Sequence, residues 1–219
     1  MKKNIKGALI ISCDGGASSG KTTGAKIIAK KYKLKFLSSG LLYRYAGYLI
    51  LKYNPKNKTS FLKNRIKKVN LKTLEKLDLN TQIISEYTSK IAKIKKIRNI
   101  LKSYQVAFSK KNKRCIIEGR DISTEILPNS DIKFFFTCDL ENASLRRYKD
   151  LKKINPKIKL KEVKKSIKLR NLRDKKRKHS PLLKHRDALE IHTGKLNKKR
   201  MIKKMSVYIE KVLKNKYVN

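Results

Sequence analysis

Ala8-Leu9-Ile10-Ile11-Ser12-Cys13 runs directly into Asp14-Gly15-Gly16-Ala17-Ser18-Ser19-Gly20-Lys21-Thr22. The first six residues are almost continuously apolar, the pattern of a strand buried on both faces of a parallel sheet. Gly15 to Thr22 fits G-x-x-x-x-G-K-[ST], and a helical pattern follows from Thr22 to about Tyr32. A buried strand before the loop and a helix after it are the context in which this pattern binds phosphate. Glycine reaches positive φ without a steric penalty, so successive backbone N–H groups can turn inward around an anion at the N-terminus of a helix. Gly15, Gly16, Ala17, Ser18, Ser19, Gly20, Lys21, Thr22 and Thr23 are therefore the candidate nucleotide-phosphate residues. Lys21 is expected on the β- and γ-phosphates and the Thr22 hydroxyl on Mg²⁺, which makes ATP and Mg²⁺ the expected donor and cofactor.

Outward from this loop the chain alternates. Further strands are expected at Leu34–Leu37, Arg114–Ile117, Ile132–Cys138 and Ala188–Thr193. Helices are expected from Leu41 to about Lys52, across 71–108, at Glu141–Lys153, at Leu160–Arg177 and across 197–216, with 53–70 polar and loop-rich. Strands alternating with helices predict a five-stranded parallel sheet with helices on both faces, its ligands at the carboxyl ends of the strands. Each distinctive motif follows a strand: Ser39-Gly40-Leu41-Leu42-Tyr43-Arg44 after the second, Gly119-Arg120-Asp121 after the third. Arg170, Arg173, Asp174 and Arg177 lie on the long basic helix that Pro181 ends.

Composition bounds the function. The 219 residues carry 59 Lys and Arg against 16 Asp and Glu, a formal charge of +43. No run approaches the roughly 18 apolar residues of a membrane span. The lysines are spread over the whole chain alongside abundant Asn and Ile and no Trp. This is the mark of compositional drift on a solvated surface rather than of one basic face, and no specific nucleic acid is expected as partner. Cys13, Cys115 and Cys138 sit in or at the end of strand-like runs and read as buried thiols in a reducing, cytoplasmic setting. His179, His185 and His192 lack metal-ligand spacing and read as lid or surface residues.

Taken in order, these motifs resemble the bacterial cytidylate kinases of the nucleoside monophosphate kinase family, over about residues 8–215. Thr88-Ser89-Lys90-Ile91-Ala92, Ile97-Arg98 and Gln105 match the family's acceptor segment, and Arg146-Arg147 its arginine pair at the lid base. The resemblance implies transfer of the γ-phosphoryl of ATP to CMP or dCMP by a monomer. It implies a core of 1–40, 109–154 and 186–219, an acceptor-binding insert of about 41–108 and a lid of about 155–185. Ser89, Arg98 and Asp121 would then read cytosine, and Arg44, Arg120 and Arg177 would hold the acceptor phosphate. Arg170 and Asp174 would sit at the acceptor sugar, Ser39 would help place the acceptor, and Lys21, Arg44, Arg120 and Arg177 would carry the catalysis.

Chemistry supports these types: guanidinium forks match phosphate, an ionised Asp offers only acceptors and an Arg only donors. A second reading of Asp121 is a strand-end ion pair with Arg120. Ser38, Gly16, Asn80, Asn171-Leu172, Lys175 and His192 depart from the family, which has Asp, Pro, Arg, Asp-Asp, Arg and Asp there. The alternatives are a related kinase with AMP, shikimate or dephospho-CoA as acceptor, and an RNA-binding ATPase.

Overall fold

The protein is described by a computed structural model covering residues 7–217. Its strands are β1 (Leu9–Gly15), β2 (Lys35–Ser38), β3 (Arg114–Gly119), β4 (Ile132–Thr137) and β5 (Leu189–His192). Its helices are α1 (Lys21–Lys31), α2 (Ser39–Tyr53), α3 (Lys58–Lys67), α4 (Leu71–Lys76), α5 (Gln82–Ile91), α6 (Lys95–Lys111), α7 (Leu140–Lys152), α8 (Leu160–Lys175) and α9 (Lys198–Tyr217). A π-helical turn, Ile122–Ile126, follows β3.

The sheet is wholly parallel in the order β2-β3-β1-β4-β5. β1 is the middle strand, paired Leu9↔Arg114 with β3 and Ile11↔Ile132 with β4, which is why its sequence is apolar in both phases. Leu9, Ile11, Cys13, Ile116, Phe134 and Phe136 pack under α1 and α9. The opposite face buries Leu37, Cys115 and Ile117 against the π-turn and α6. α1 seats closely because Gly24 lies over Phe136, where a Cβ would stand 3.0 Å from the ring. Polar Ser12 is fully buried in β1, and its hydroxyl is satisfied by the Ser130 hydroxyl at 2.8 Å.

Helices α2 to α6 enclose an apolar cluster of their own around Leu42, Leu62, Ile66, Leu74 and Leu101. A smaller cluster joins Ala17 of the phosphate loop to Leu151, Ile158, Val163 and Ile167 of α7, α8 and their connection.

Four expectations are corrected. The stretch 53–70 is not all loop: α3 forms there, capped by the Asn57 side chain accepting from Ser60 N at 3.0 Å and anchored by buried Leu62 and Ile66. The stretch 71–108 is three helices, with Thr81 capping α5 and Ile94 preceding α6. Cys138 is only partly buried, with an Arg146 Nη1 3.6 Å from its sulfur, and His192 is half-buried in β5 rather than on the surface.

Candidate active site

Parallel strands bring all their carboxyl ends to one edge of the sheet, and a cavity of about 460 Å³ opens along it. Its floor is the phosphate loop. Ser18 (φ 54°) and Gly20 (φ 80°) take left-handed conformations that fold the loop back over the start of α1. Lys21 Nζ donates to the Gly16 carbonyl at 3.1 Å and stands 3.9 Å from Glu118 Oε2. Ala17, Ser18, Ser19, Gly20, Lys21, Thr22 and Thr23 all line the cavity, and the Thr22 side chain is exposed to it. Gly15 and Gly16 lie beneath, their carbonyls accepting from Arg120 and Lys21. Thr193 Oγ1 donates to the Ser19 carbonyl at 2.9 Å, and Arg146 holds Thr193 in turn.

The facing wall carries the acceptor candidates. Ser39 is buried at the start of α2, whose cap is Ser38. Ser38 and Glu118 are direct neighbours across β2 and β3. The Ser38 hydroxyl donates to Glu118 Oε1 and accepts from Leu41 N at 3.1 Å, so one side chain caps the helix and orients the carboxylate toward Lys21. Ser89 on α5, Arg98 on α6 and Asp121 beyond β3 all line the cavity. Arg98 is paired with Asp121, donates to the Ala92 carbonyl at 3.1 Å and lies over the Tyr43 ring. Arg120 pairs not with its neighbour Asp121 but with Asp174 of α8, Nε to Oδ2 at 2.8 Å, so the ion pair of Asp121 is with Arg98 instead. Asp174 also meets Arg177 at 3.5 Å, and Arg44 and Arg170 complete the basic lining.

Crowded cations define the electrostatics. Burial, then Arg120, pulls the Lys21 ammonium down to about 7, with Glu118 opposing. Burial followed by neighbouring guanidinium groups likewise lowers Arg44 and Arg170. Burial acts to raise the Asp174 carboxyl, but Arg120, Arg170 and Arg177 outweigh it and hold the group below its ordinary value. The enclosed Nε donors of Arg44, Arg98, Arg170 and Arg177 have no hydrogen-bond partner among the described residues. Buried donors normally have partners, and a cavity that concentrates unpaired guanidinium donors is built to receive anionic oxygens.

Some functional groups escaped the sequence reading. Glu118 adjoins the quoted Gly119-Arg120-Asp121, but its partner Lys21 lies far along the chain. Asp14, fully buried, accepts from Ile122 N at 2.8 Å, Ser123 N at 2.7 Å and Ser123 Oγ at 2.6 Å, fixing the turn that carries Arg120 and Asp121. Asn171, noted only as a departure, accepts from Ala17 N at 2.9 Å and so seats α8 on the phosphate loop.

Solved structures share this architecture. A shikimate kinase from Acinetobacter baumannii in complex with shikimate has a TM-score of 0.51 at 15% identity, covering 98% of both chains. An uncharacterized protein from Eubacterium ventriosum has a TM-score of 0.52 at 18% identity, covering 92% of this chain and 98% of its own. At these identities the likeness is one of fold. Sequence comparison goes further. The chain is 37% identical over 200 residues to a cytidylate kinase of Rickettsia conorii, with 91% of each chain covered. It is 36% identical to one of Fusobacterium nucleatum, covering 93% of this chain and 98% of that one. The profile of the family described as cytidylate kinase matches residues 11–211, from the middle of β1 into α9, and the chain belongs to the cytidylate kinase family.

Proposed function

We propose that this protein is a cytidylate kinase that transfers the γ-phosphoryl group of ATP to CMP and dCMP, giving CDP or dCDP and ADP. The observation that carries this reading is that one cavity is lined by the phosphate loop, by Ser89, Arg98 and Asp121, and by a field of arginines. One chain supplies all of these groups, which suits an enzyme that works as a monomer in the cytoplasm, where its nucleotide substrates are.

In the reaction an acceptor phosphate oxygen bonds to the γ-phosphorus while the bond to the β,γ-bridging oxygen breaks. The attacking oxygen is already anionic, so no general base is required. What remains for the protein is positioning and charge. The phosphate-loop amides and Lys21 hold the donor. Arg44, Arg120 and Arg177 hold the acceptor phosphate and neutralise charge spreading over the transferred group. Asp174 and Arg170 face the acceptor sugar.

Among the described residues no three His, Cys, Asp or Glu side chains converge as a metal cage, while the Thr22 hydroxyl opens onto the cavity. That donor set fits Mg²⁺ held by Thr22, nucleotide phosphates and water. The ion supplies charge neutralisation on the phosphates when bound. Residues 41–108 act as the acceptor-binding insert and 155–185 as the lid, around the core of 1–40, 109–154 and 186–219.

Initial rates with ATP and CMP, against AMP, UMP and shikimate as acceptors, test the assignment. CMP is expected to be used best. Equal rates with AMP would overturn the roles of Ser89, Arg98 and Asp121.

A further inference from the structure

At the mouth of the cavity Asn80 links two arginines that come from opposite sides. Arg44 Nη1 of α2 donates to the Asn80 side-chain oxygen at 2.9 Å, across 36 residues of sequence. Arg147 Nη2 of α7 donates to the Asn80 carbonyl at 2.9 Å, across 67 residues, and lies 3.4 Å from the Ser85 hydroxyl. The backbone that presents these two oxygens is fixed on both sides. Leu79 is fully buried before Asn80, and Thr81 caps α5 after it. Asn80 N also donates to Asp78 Oδ1 at 3.3 Å. The asparagine itself is exposed.

Arg44 and Arg147 are close enough to repel, and each guanidinium needs oxygen partners wherever phosphate is not supplying them. A neutral residue with a side-chain oxygen and a free carbonyl gives one partner to each without adding charge. An arginine, which the resemblance has at this place, would keep the main-chain carbonyl for Arg147 but offer Arg44 no side-chain acceptor and add a third guanidinium. This chain has thus replaced a cation by an acceptor and uses it to aim the neighbouring cation.

We propose that Asn80 is a positioning residue for the acceptor phosphate, acting through Arg44, and that with Arg147 it ties the insert to the base of the lid. This rests on the reading of Arg44 as an acceptor-phosphate ligand. The contact is at the exposed rim, so its removal leaves the core untouched.

A double-mutant cycle isolates the effect. Asn80→Ala is expected to raise the KM for CMP, and the calorimetric Kd for CMP without ATP, by about three- to tenfold, the worth of one hydrogen bond to a charged group at a partly solvated site. The KM for ATP should stay within about twofold. In an Arg44→Ala background the same substitution should add less than about 1.5-fold. CMP affinity unchanged in the single variant, or the full loss persisting without Arg44, overturns the role of Asn80. A wild-type protein that binds no CMP overturns the acceptor assignment itself, before any variant is compared.

Discussion

Asp121 and Arg98 form a buried pair, and since Arg120 has Asp174 as its own partner, the charge of Asp121 is not committed to the arginine beside it. An acceptor-only carboxylate next to a donor-only guanidinium suits cytosine, whose edge carries an amino donor where uracil has a carbonyl. The mismatch with uracil costs about 1.4 kcal/mol or more, so kcat/KM for CMP should exceed that for UMP by at least about tenfold. Asp121→Asn, which offers a donor and an acceptor, should narrow that ratio to below about threefold. A ratio that holds while both rates fall would mean that Asp121 only fixes Arg98. Asp14 acts at the same scale but on the fold. Its two oxygens satisfy three donors of the turn that carries Arg120, and asparagine would satisfy fewer. Asp14→Asn should therefore destabilise by about 1–3 kcal/mol in denaturant titration. Burial raises this carboxyl from 3.8 to about 6, against the hydrogen bonds from Ser123 and Ile122. A carboxyl that binds its proton more tightly folded than unfolded contributes stability that is complete below about pH 4 and falls away as the pH rises to about 6. The wild-type Tm profile should carry that slope between pH 4 and 6, and the Asp14→Asn profile should lack it.

Among the elements, α8 is the one whose placement depends on side chains from elsewhere. Its inward face presents Ile167 to the apolar cluster around Ala17, Asn171 to the Ala17 amide and Asp174 to Arg120. None of these contacts belongs to the helix itself, and its outer face is solvated lysine and exposed leucine. A helix that packs along α7 but reaches the phosphate loop and the sheet only through these few side chains can swing away from them at modest cost and close further when ligands add contacts. Protease cleavage within 155–185 should slow several-fold with CMP and a non-hydrolysable ATP analogue together. Asn171→Ala should speed cleavage in the ligand-free protein, as measured by gel time course. Equal rates with and without ligands would argue against a closing lid. The same element shows where sequence reading stops. Its boundaries followed from periodicity and Pro181, but its docking on Ala17 spans 154 residues and has no local signature. α3 was missed for a different reason: only Leu62 and Ile66 are buried, with Phe61 half-buried beside them, in a run of Lys, Asn, Ser and Thr, so the apolar stripe is too thin to register. The phosphate loop was legible because its chemistry is contiguous and requires glycine at fixed places. Glu118 and Asp14 were not, because each is defined by partners about a hundred residues away in sequence but adjacent in space.

Over the whole molecule, the charge of +43 is spread over solvated surface, while the arginines of the cavity are the cations that enclosure makes costly without an anion. Fold class was legible at this scale because the alternation of strands and helices sets the sheet, and the family because the order of its motifs runs the length of the chain. Strand order was not, since nothing in the residues of β1 says which strands flank it. That order has a consequence for how the chain is made. Of the five described strands the first to be synthesised is the middle one of the sheet, and its neighbours begin at Arg114 and Ile132. Until both have been synthesised, Leu9 to Cys13 is an unpaired apolar segment. Helices α2 to α6, contiguous in sequence and sharing their own cluster, can collapse in the meantime from local contacts alone. A released fragment ending near residue 112 should thus hold a helical, protease-resistant segment between 41 and 111 yet retain no nucleotide. Release beyond about residue 140 should be needed before the N-terminal strand is sheltered, and chaperone dependence should concentrate in that interval of translation.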